Sequence, residues 1–425
     1  MTSTRSWLAS SPYRPVLRQP VLRRLLPGFT LSFLGDGMSA VAIGWLAIEL
    51  AGPGERGTLV SLAVAAYTLP AAIGAVVLAK WLRHRPGAQL AGWDAVLRAV
   101  ALGAIPLCAA LRVLTATDYV ALLAVSSLLH SWGMAGKYTV LAEHLEQRHR
   151  LAGNALLSTV DQFAGLIGPA IAGLIVSAGS AATVIAIDAV TFAVLAISYR
   201  LLPRASSSST AVSSSNTVAS NTAARDETDA DRGTGWQWIA RDRGLLGLLA
   251  LSLVFYLLYG PVEVALPVLV ADDYGRASML GLFWALFGLG AIIGGLLAGY
   301  LRRLPMWPTM IGIVLGWGLS LLPLGFPLPA AVDVTAFAIG GLIYAPWPSI
   351  SIALMQRASP IRALPSVLAA RGALLVGAAP VGTLLGGPLI GWLGARQALL
   401  ISALATIALG IVATVALGWR RLRRT

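Results

Sequence analysis

Charged residues are scarce in this 425-residue chain, since Asp, Glu, Lys and Arg together make up only 12% of it. An ordinary soluble domain carries roughly 25% charged residues, so a soluble fold would lack the polar side chains that its surface needs. Apolar residues make up 57% of the chain, and the mean hydropathy is +0.77. The composition therefore argues against a soluble protein and predicts that most of the chain lies in lipid.

Cysteine is nearly absent, and the motifs of soluble enzymes are missing. The single cysteine, Cys108, lies in an apolar run, so a disulfide within the chain is impossible and a cysteine-based metal site is not expected. No GxxxxGK[ST] loop is present, and His144 and His149 do not form an HExxH motif. The sequence therefore predicts a protein that is not an enzyme and that has no cofactor and no metal.

Lysine is almost absent, because only two of the 31 basic residues are Lys. The formal net charge is +13, but the basic residues form short clusters between apolar runs and not one continuous stripe. A nucleic-acid partner is therefore not expected.

Long apolar runs are what the chain has in abundance. A helix needs about 20 residues to cross ~30 Å of hydrocarbon, and continuous runs favour helices over the alternating strands of a barrel. Twelve such runs, here called spans 1 to 12, lie at 26–50, 58–81, 89–112, 119–141, 153–177, 182–202, 245–270, 278–301, 309–326, 332–356, 366–391 and 396–418. The sequence predicts an all-α polytopic membrane protein.

The basic residues between the spans predict the orientation. With the N-terminus placed in the cytoplasm, 24 Lys and Arg residues fall on the cytoplasmic side and four on the opposite side. Cytoplasmic loops carry the excess of basic residues in membrane proteins. We therefore predict a multi-pass protein of the plasma (inner) membrane with both termini in the cytoplasm.

A Ser-rich stretch divides the spans into two sets of six. The centre of 203–243 has almost no large apolar residues, so it cannot bury enough surface to offset its ordering entropy. The predicted organisation is an N-terminal cytoplasmic tail (1–25), a six-helix bundle (26–202), a flexible cytoplasmic linker (203–243), a second six-helix bundle (244–418) and a basic cytoplasmic tail (419–425).

The two sets of spans resemble each other. Span 2 ends in AAIGAVVLAKWLR (71–83), and span 8 ends in AIIGGLLAGYLRR (291–303). Spans 5 and 11 share a Gly-Pro pair, at 168–169 and 387–388, followed by a further glycine. Because each pair of spans is six apart, the pattern predicts two pseudo-symmetric bundles that arose by duplication.

Several segments, taken in order, resemble the major facilitator superfamily, and in particular the branch that contains macrolide-efflux and enterobactin-exporter proteins. The segments are SFLGDG (32–37), the Asp94-x3-Arg98 pair, AGNALLSTVDQFAGLIGPAIAG (152–173), GPVEVALPVLV (260–270) and LAARGALLVGAAPVGTLLGGPLIG (368–391). The resemblance implies the major facilitator fold and transport of a small molecule. The chain departs from the family in the loop after span 2, where Lys80 stands near the position of a usual acid.

Ionisable residues within the spans are the candidate functional residues, because a charge at mid-bilayer costs about 2.5–3.5 kcal/mol. Asp36 lies near the middle of span 1, and Glu263 lies deep in the corresponding span 7. Both are candidates for proton coupling or substrate binding, with a structural role as the alternative. Asp188, in span 6, is interpreted as structural.

A second group of charges is assigned to gating or ion pairing: Asp94, Arg98, Lys137, Asp161 and Arg371. Asp94 and Arg98 are four residues apart on one helix face and can pair directly. Lys137 and Arg371 have two alternatives, which are to meet acids on the cytoplasmic side or to extend to the interface. The candidate helix-packing motif of span 5 is Gly165, Gly168, Pro169 and Gly173, since small residues permit close helix approach.

These features predict a secondary transporter, most simply a proton-coupled exporter, and so an antiporter, of amphipathic drugs, antibiotics or secondary metabolites. The expected partners are a small-molecule substrate, protons and the lipid bilayer, and a monomer is expected. An importer or a lipid or siderophore transporter of the same fold is one alternative. A membrane scaffold that binds a partner through its linker is the other.

Overall fold

The structure is a computed structural model that describes residues 14–202 apart from 53 and 83, and residues 235–298, 304–359 and 364–422. All regular structure in these residues is helical. Twelve of the helical segments are long and apolar enough to cross a membrane. The prediction of an all-α polytopic protein is confirmed within the part of the chain that is described.

The observed helices follow the twelve predicted spans closely. Spans 1 to 6 contain Pro20–Leu50, Arg56–Val77, Gly87–Ala110, Ala116–Ser127 with His130–His144, Gln147–Ala178 and Ala181–Arg200. Spans 7 to 12 contain Arg243–Leu269, Ala277–Ala298, Met306–Leu321, Ala330–Tyr344 with Trp347–Ala358, Leu364–Leu393 and Ala395–Leu422. Short helices at Arg14–Arg18, Ala79–Leu82 and Gly235–Arg241 flank the spans.

Local sequence explains where several helices begin. At the start of span 4, the Thr115 hydroxyl accepts a bond from the Asp118 amide at 3.2 Å, and the Asp118 carboxylate accepts one from the Thr115 amide. This capping box satisfies amides that have no partner within the helix. The side chains of Ser180 at the start of span 6 and Asp242 at the start of span 7 accept hydrogen bonds from amides of the first helical turn, without the reciprocal bond of a capping box.

Spans 4 and 10 are each broken in the middle. The break lies at Leu128-Leu129 in span 4 and at Ala345-Pro346 in span 10. Near the first break, the Leu128 carbonyl packs directly on Gly74 of span 2, and near the second, the Leu342 carbonyl packs on Gly294 of span 8. The two glycines occupy the same position in the aligned segments 71–83 and 291–303. The contact between spans 2 and 4 therefore recurs between spans 8 and 10, as the predicted repeat requires.

Two compact units make up the described chain. Unit 1 lies within Met1–Ile43 and Ala66–Ala224, and unit 2 lies within Gly44–Ala65 and Arg225–Thr425. The boundary differs from the predicted bundle 26–202, because Gly44–Ala65 packs in unit 2. There, Arg56 forms an ion pair with Asp272, and a Cβ at Gly57 would meet Ile390 at 2.8 Å.

Some predicted features lie outside the described residues. These are the first thirteen residues, most of the linker, the last three residues and the basic residues Arg83, Arg302, Arg303 and Arg362.

Candidate functional site

The centre of unit 1 is an ion pair that joins spans 1 and 3. The Arg98 guanidinium donates to Asp36 Oδ1. The Tyr67 hydroxyl of span 2 donates to the same oxygen at 2.8 Å, and Arg98 also reaches the Tyr67 oxygen at 3.3 Å. The Arg98 side chain is 1% exposed, and that of Asp36 is 23% exposed. Asp36 is therefore the accessible end of a buried charge pair.

Asp94 lies on the other side of Arg98. Its Oδ1 is 3.9 Å from Arg98 Nε, and its side chain is 1% exposed. Neither of these two atoms has a hydrogen-bond partner among the described residues. The predicted i, i+4 pair is thus within ion-pair distance, but the hydrogen bonds of Arg98 go to Asp36 and Tyr67. One guanidinium is shared unequally between two carboxylates.

Aromatic rings surround the same guanidinium. The Arg98 Cζ lies 5.1 Å from the Tyr67 ring centroid and 4.8 Å from the Phe192 ring centroid. Rings at such distances attract a cation through their negative faces. They also exclude water, which strengthens every charge interaction within the cluster.

Lys137 is buried in unit 1 and does not reach an interface. It is 1% exposed, its Nζ lies 4.6 Å from the Phe33 ring centroid, and Nζ has no hydrogen-bond partner among the described residues. The alternative in which Lys137 extends to the interface is therefore wrong, because the lysine packs inside its own bundle. Asp161 is half-buried, and it interacts electrostatically with Asp36 and Lys137.

Asp188 completes the charged cluster of unit 1. Its Oδ2 accepts a hydrogen bond from the Ser39 hydroxyl at 2.5 Å, and its Oδ1 accepts one from Thr191 at 3.3 Å. The side chain is fully buried. The bond from Ser39 links spans 1 and 6, whereas the bond from Thr191 lies within span 6.

Unit 2 contains a different arrangement around Glu263. The half-buried Glu263 carboxylate accepts a hydrogen bond from Thr383 of span 11 at 3.4 Å. No Lys or Arg lies within ion-pair distance of it among the described residues. Glu263 is thus a carboxylate without a counter-cation among the described residues of its own unit.

An aromatic cluster lies beside Glu263. Tyr259, one helical turn earlier on span 7, stacks on Tyr344 with ring centroids 6.2 Å apart and contacts Trp317 at 5.8 Å. Phe287 and Phe337 extend the cluster, with ring centroids 5.0 Å apart. Trp317 and Phe337 are buried, whereas Tyr259 and Tyr344 are half-buried. The tyrosines therefore form the accessible face of a rigid apolar wall.

Arg371 of span 11 contacts a neighbouring span, and no acid lies within ion-pair distance of it in the part of the chain that is described. Its guanidinium donates to the Ser351 hydroxyl at 3.2 Å, and its Nε has no hydrogen-bond partner among the described residues. The bond connects spans 10 and 11 within unit 2.

A further ion-pair cluster in unit 2 was not predicted from the sequence. Arg396 pairs with Asp273 at 2.5 Å and with Asp333 at 3.4 Å, and the Tyr274 hydroxyl donates to Asp333 at 2.7 Å. Asp273 and Tyr274 lie in a π-helical turn, Val270–Tyr274, that ends span 7. The acidic pair Asp272-Asp273 next to an apolar run is the signal that could have found this cluster.

The glycine motif of span 5 divides into two kinds of residue. A Cβ at Gly168 would meet backbone atoms of Gly37 and Met38 at 2.6–2.8 Å, so spans 1 and 5 approach as closely as glycine allows. A Cβ at Gly165 would meet nothing within 4 Å. Pro169 lies inside the continuous helix, and both it and Gly173 are buried.

The structure thus brings Asp36 together with Arg98, Asp94 and Lys137, and it keeps Glu263 and Arg371 in unit 2. Tyr67 and Thr383 bind the two candidate carboxylates, and the sequence did not single out either for that role. No sequence pattern identifies the hydrogen-bond partner of a hydroxyl group inside a span, so the partner is known only from the packing of the helices.

Twelve apolar helices, with ionisable clusters buried among them, define a multi-pass membrane protein of the transporter class. The family sequence model that describes the Major Facilitator Superfamily matches residues 25–374 of this chain. The chain therefore belongs to this superfamily, and the resemblance inferred from the sequence is confirmed.

Two similar relatives carry the same name. The multidrug efflux pump Tap of Mycolicibacterium fortuitum is 27% identical over 412 residues, which cover 93% of this chain and 95% of the relative. The multidrug efflux pump Tap of Mycobacterium tuberculosis (strain H37Rv) is 28% identical over 390 residues, which cover 89% of each chain.

Solved structures show the same fold. A bacterial homologue of the iron transporter ferroportin, in an inward-facing state, superposes with a TM-score of 0.66. The match covers 92% of this chain and 98% of that one at 17% identity. At this identity the likeness concerns the fold alone.

Proposed function

We propose that this protein is a proton-coupled exporter of amphipathic small molecules, such as drugs, antibiotics or secondary metabolites. It would act as a monomer in the plasma membrane with both termini in the cytoplasm. The relatives named multidrug efflux pumps cover about nine-tenths of the chain, which supports drug export. Export against a gradient needs an energy source, and the transmembrane proton gradient acts on groups that can be protonated within the membrane.

The observation that carries proton coupling is the position of Arg98 between two carboxylates. Arg98 is directly bonded to Asp36. The Oδ1 atom of Asp94 lies 3.9 Å from Arg98 Nε and accepts no hydrogen bond from the described residues. Asp36 is also the most exposed of the three side chains, so it is the carboxylate of this group that water can reach. A proton on Asp36 removes the charge that Arg98 binds.

The consequence of that protonation is an exchange of partners. Arg98 loses its attraction to span 1 and turns to Asp94 on its own helix, so the link between spans 1 and 3 is weakened. A ligand or proton can shift a conformational equilibrium only through such a differential interaction. Alternating access would then follow from a shift between the inward-open and outward-open states.

The test measures the accumulation of a panel of fluorescent drugs in inside-out membrane vesicles that contain the protein, under an imposed pH gradient. The wild-type protein should accumulate at least one drug, and a protonophore should abolish the accumulation. Asp36→Asn should abolish gradient-driven accumulation, while gradient-independent exchange of the drug continues.

Asp118→Asn is the matched control, because Asp118 is an aspartate of the same unit that only caps a helix. It should transport as the wild type does. Normal gradient-driven transport by Asp36→Asn would overturn the coupling role of Asp36. If no drug is accumulated and the protonophore has no effect, proton-driven export itself is wrong.

A further inference from the structure

Glu263 is placed where an ionised carboxylate is costly, and the described residues of unit 2 supply no cation to it. Its hydrogen bond comes from the neutral Thr383 hydroxyl, at 3.4 Å. The acids Asp272, Asp273 and Asp333 of the same unit are all paired with arginine. Buried charges are normally paired, and an unpaired one inside a membrane span marks a candidate functional site.

The wall beside this carboxylate consists of aromatic faces. Tyr259 precedes Glu263 by four residues, so the two side chains share one face of span 7. Tyr259 stacks almost parallel to Tyr344, with 16° between the ring planes, and Trp317 supports Tyr259 at 5.8 Å. Since Trp317 is 1% exposed, Tyr259 is packed against a core residue.

Aromatic faces and a carboxylate attract the same kind of ligand, which is an organic cation. A ring attracts a cation within about 6 Å of its centroid, and more strongly when both are shielded from water. A small inorganic cation is a poor candidate, because it needs several oxygen ligands. No group of three or more metal-binding side chains is found in the described part of the chain.

We propose that Glu263, Tyr259 and Tyr344 form a subsite for the positively charged centre of a lipophilic cation, such as a tertiary or quaternary ammonium or a phosphonium. Glu263 supplies the counter-charge, and the two tyrosines supply the aromatic faces. This inference rests on the proposed export function for its biological meaning. It adds that the charge of the substrate is recognised by residues of unit 2, whereas proton coupling is assigned to the Asp36–Arg98 pair of unit 1.

The test is equilibrium binding of tetraphenylphosphonium to the purified protein in detergent, at one pH and without a gradient. This probe carries a permanent charge, so its binding does not require proton transfer to or from the ligand. Glu263→Gln should weaken binding by about tenfold or more, because it removes the partner of a desolvated charge. Glu49→Gln, at an exposed glutamate of span 1, is the matched control and should bind normally.

The aromatic part of the subsite has its own pair of variants. Tyr259→Phe keeps the ring and should bind tetraphenylphosphonium within about twofold of the wild type, whereas Tyr259→Leu should weaken binding by about three- to tenfold. The neutral triphenylphosphine oxide should bind equally to the wild type and to Glu263→Gln. Equal binding of tetraphenylphosphonium by these two proteins, or equal loss of both probes in Glu263→Gln, would overturn the subsite.

The two proposals fail separately. If the wild type exports a neutral drug under a pH gradient but does not bind tetraphenylphosphonium, the subsite is wrong and proton-driven export stands. If it binds tetraphenylphosphonium through Glu263 but accumulates no drug in vesicles, the subsite stands and proton-driven export is wrong.

Discussion

In unit 1 the buried ionisable side chains meet one another, whereas in unit 2 the carboxylate of Glu263 meets a hydroxyl and aromatic rings. Arg98 is bonded to Asp36 and lies 3.9 Å from Asp94. Glu263 has only Thr383 as a partner among the described residues. The candidate carboxylates of the two units therefore differ: Asp36 is compensated by Arg98, and Glu263 has no cation partner among the described residues.

This difference between Asp36 and Glu263 predicts that variants of the two sites affect protein stability and function differently. A compensated buried pair is costly to break, because removal of one partner leaves the other charged and buried. An uncompensated carboxylate can be neutralised without leaving any charge behind. Variants of Arg98 should therefore act on folding as well as transport, and variants of Glu263 should act on ligand binding alone.

The largest effect is expected from Arg98→Ala. The change leaves Asp36 and Asp94 without their cation, and it should lower the free energy of unfolding by about 3–5 kcal/mol. Chemical unfolding of the purified protein in detergent measures the loss. Arg98→Lys keeps the positive charge and should lose much less. A stability of Arg98→Ala close to that of the wild type would show that the buried pair contributes nothing.

Gly294→Ala tests the packing that the two units share. Its new Cβ would press on the Leu342 carbonyl, and such overpacking should cost about 1–3 kcal/mol. Gly74→Ala, at the equivalent position of unit 1, should cost a similar amount. The neighbour Gly295 has open space, so Gly295→Ala is the control and should not destabilise the protein. Thermal unfolding of all three variants makes the comparison, and equal stability of Gly294→Ala and Gly295→Ala would contradict the close approach.

Arg56→Ala should have a smaller effect than Arg98→Ala, although both break an ion pair. Arg56 and Asp272 are 46% and 44% exposed, and exposed pairs contribute about 0–1 kcal/mol. The loss should shrink further at high salt, since salt screens exposed charges. Unfolding at low and high ionic strength provides the measurement. A loss as large as that of Arg98→Ala would mean that exposure does not separate the two pairs.

Glu263→Gln should have the smallest effect on stability. Glutamine keeps the shape and can still accept the Thr383 hydrogen bond, and no opposite charge is left without a partner. The midpoint of thermal unfolding should therefore stay within about 2 °C of the wild-type value. A large drop would indicate that Glu263 pairs with a cation in the folded protein, and the contrast between the units would disappear.

The positions of the spans could be predicted because the number of residues needed to cross a bilayer is set by its thickness. The observed helix Pro20–Leu50 begins six residues before the predicted span 1, since a capping Gln19 and a basic stretch extend it. The break in span 4 at Leu128-Leu129 carries no proline or glycine and could not be foreseen. Its carbonyl is accommodated by Gly74 on another helix, which is a tertiary contact.

The sequence by itself determined the twelve spans, the repeat and the family, because these depend on hydropathy, length and residue order along the chain. It also determined which residues carry charge within the membrane. Only the tertiary structure decided that Arg98 bonds Asp36 of span 1 more closely than Asp94 four residues away, and that Glu263 lies beside Tyr259, Tyr344 and Thr383. The physical reason is that the partner of a buried charge is chosen by helix packing across long sequence separations, and the periodicity of a single helix contains no information about it.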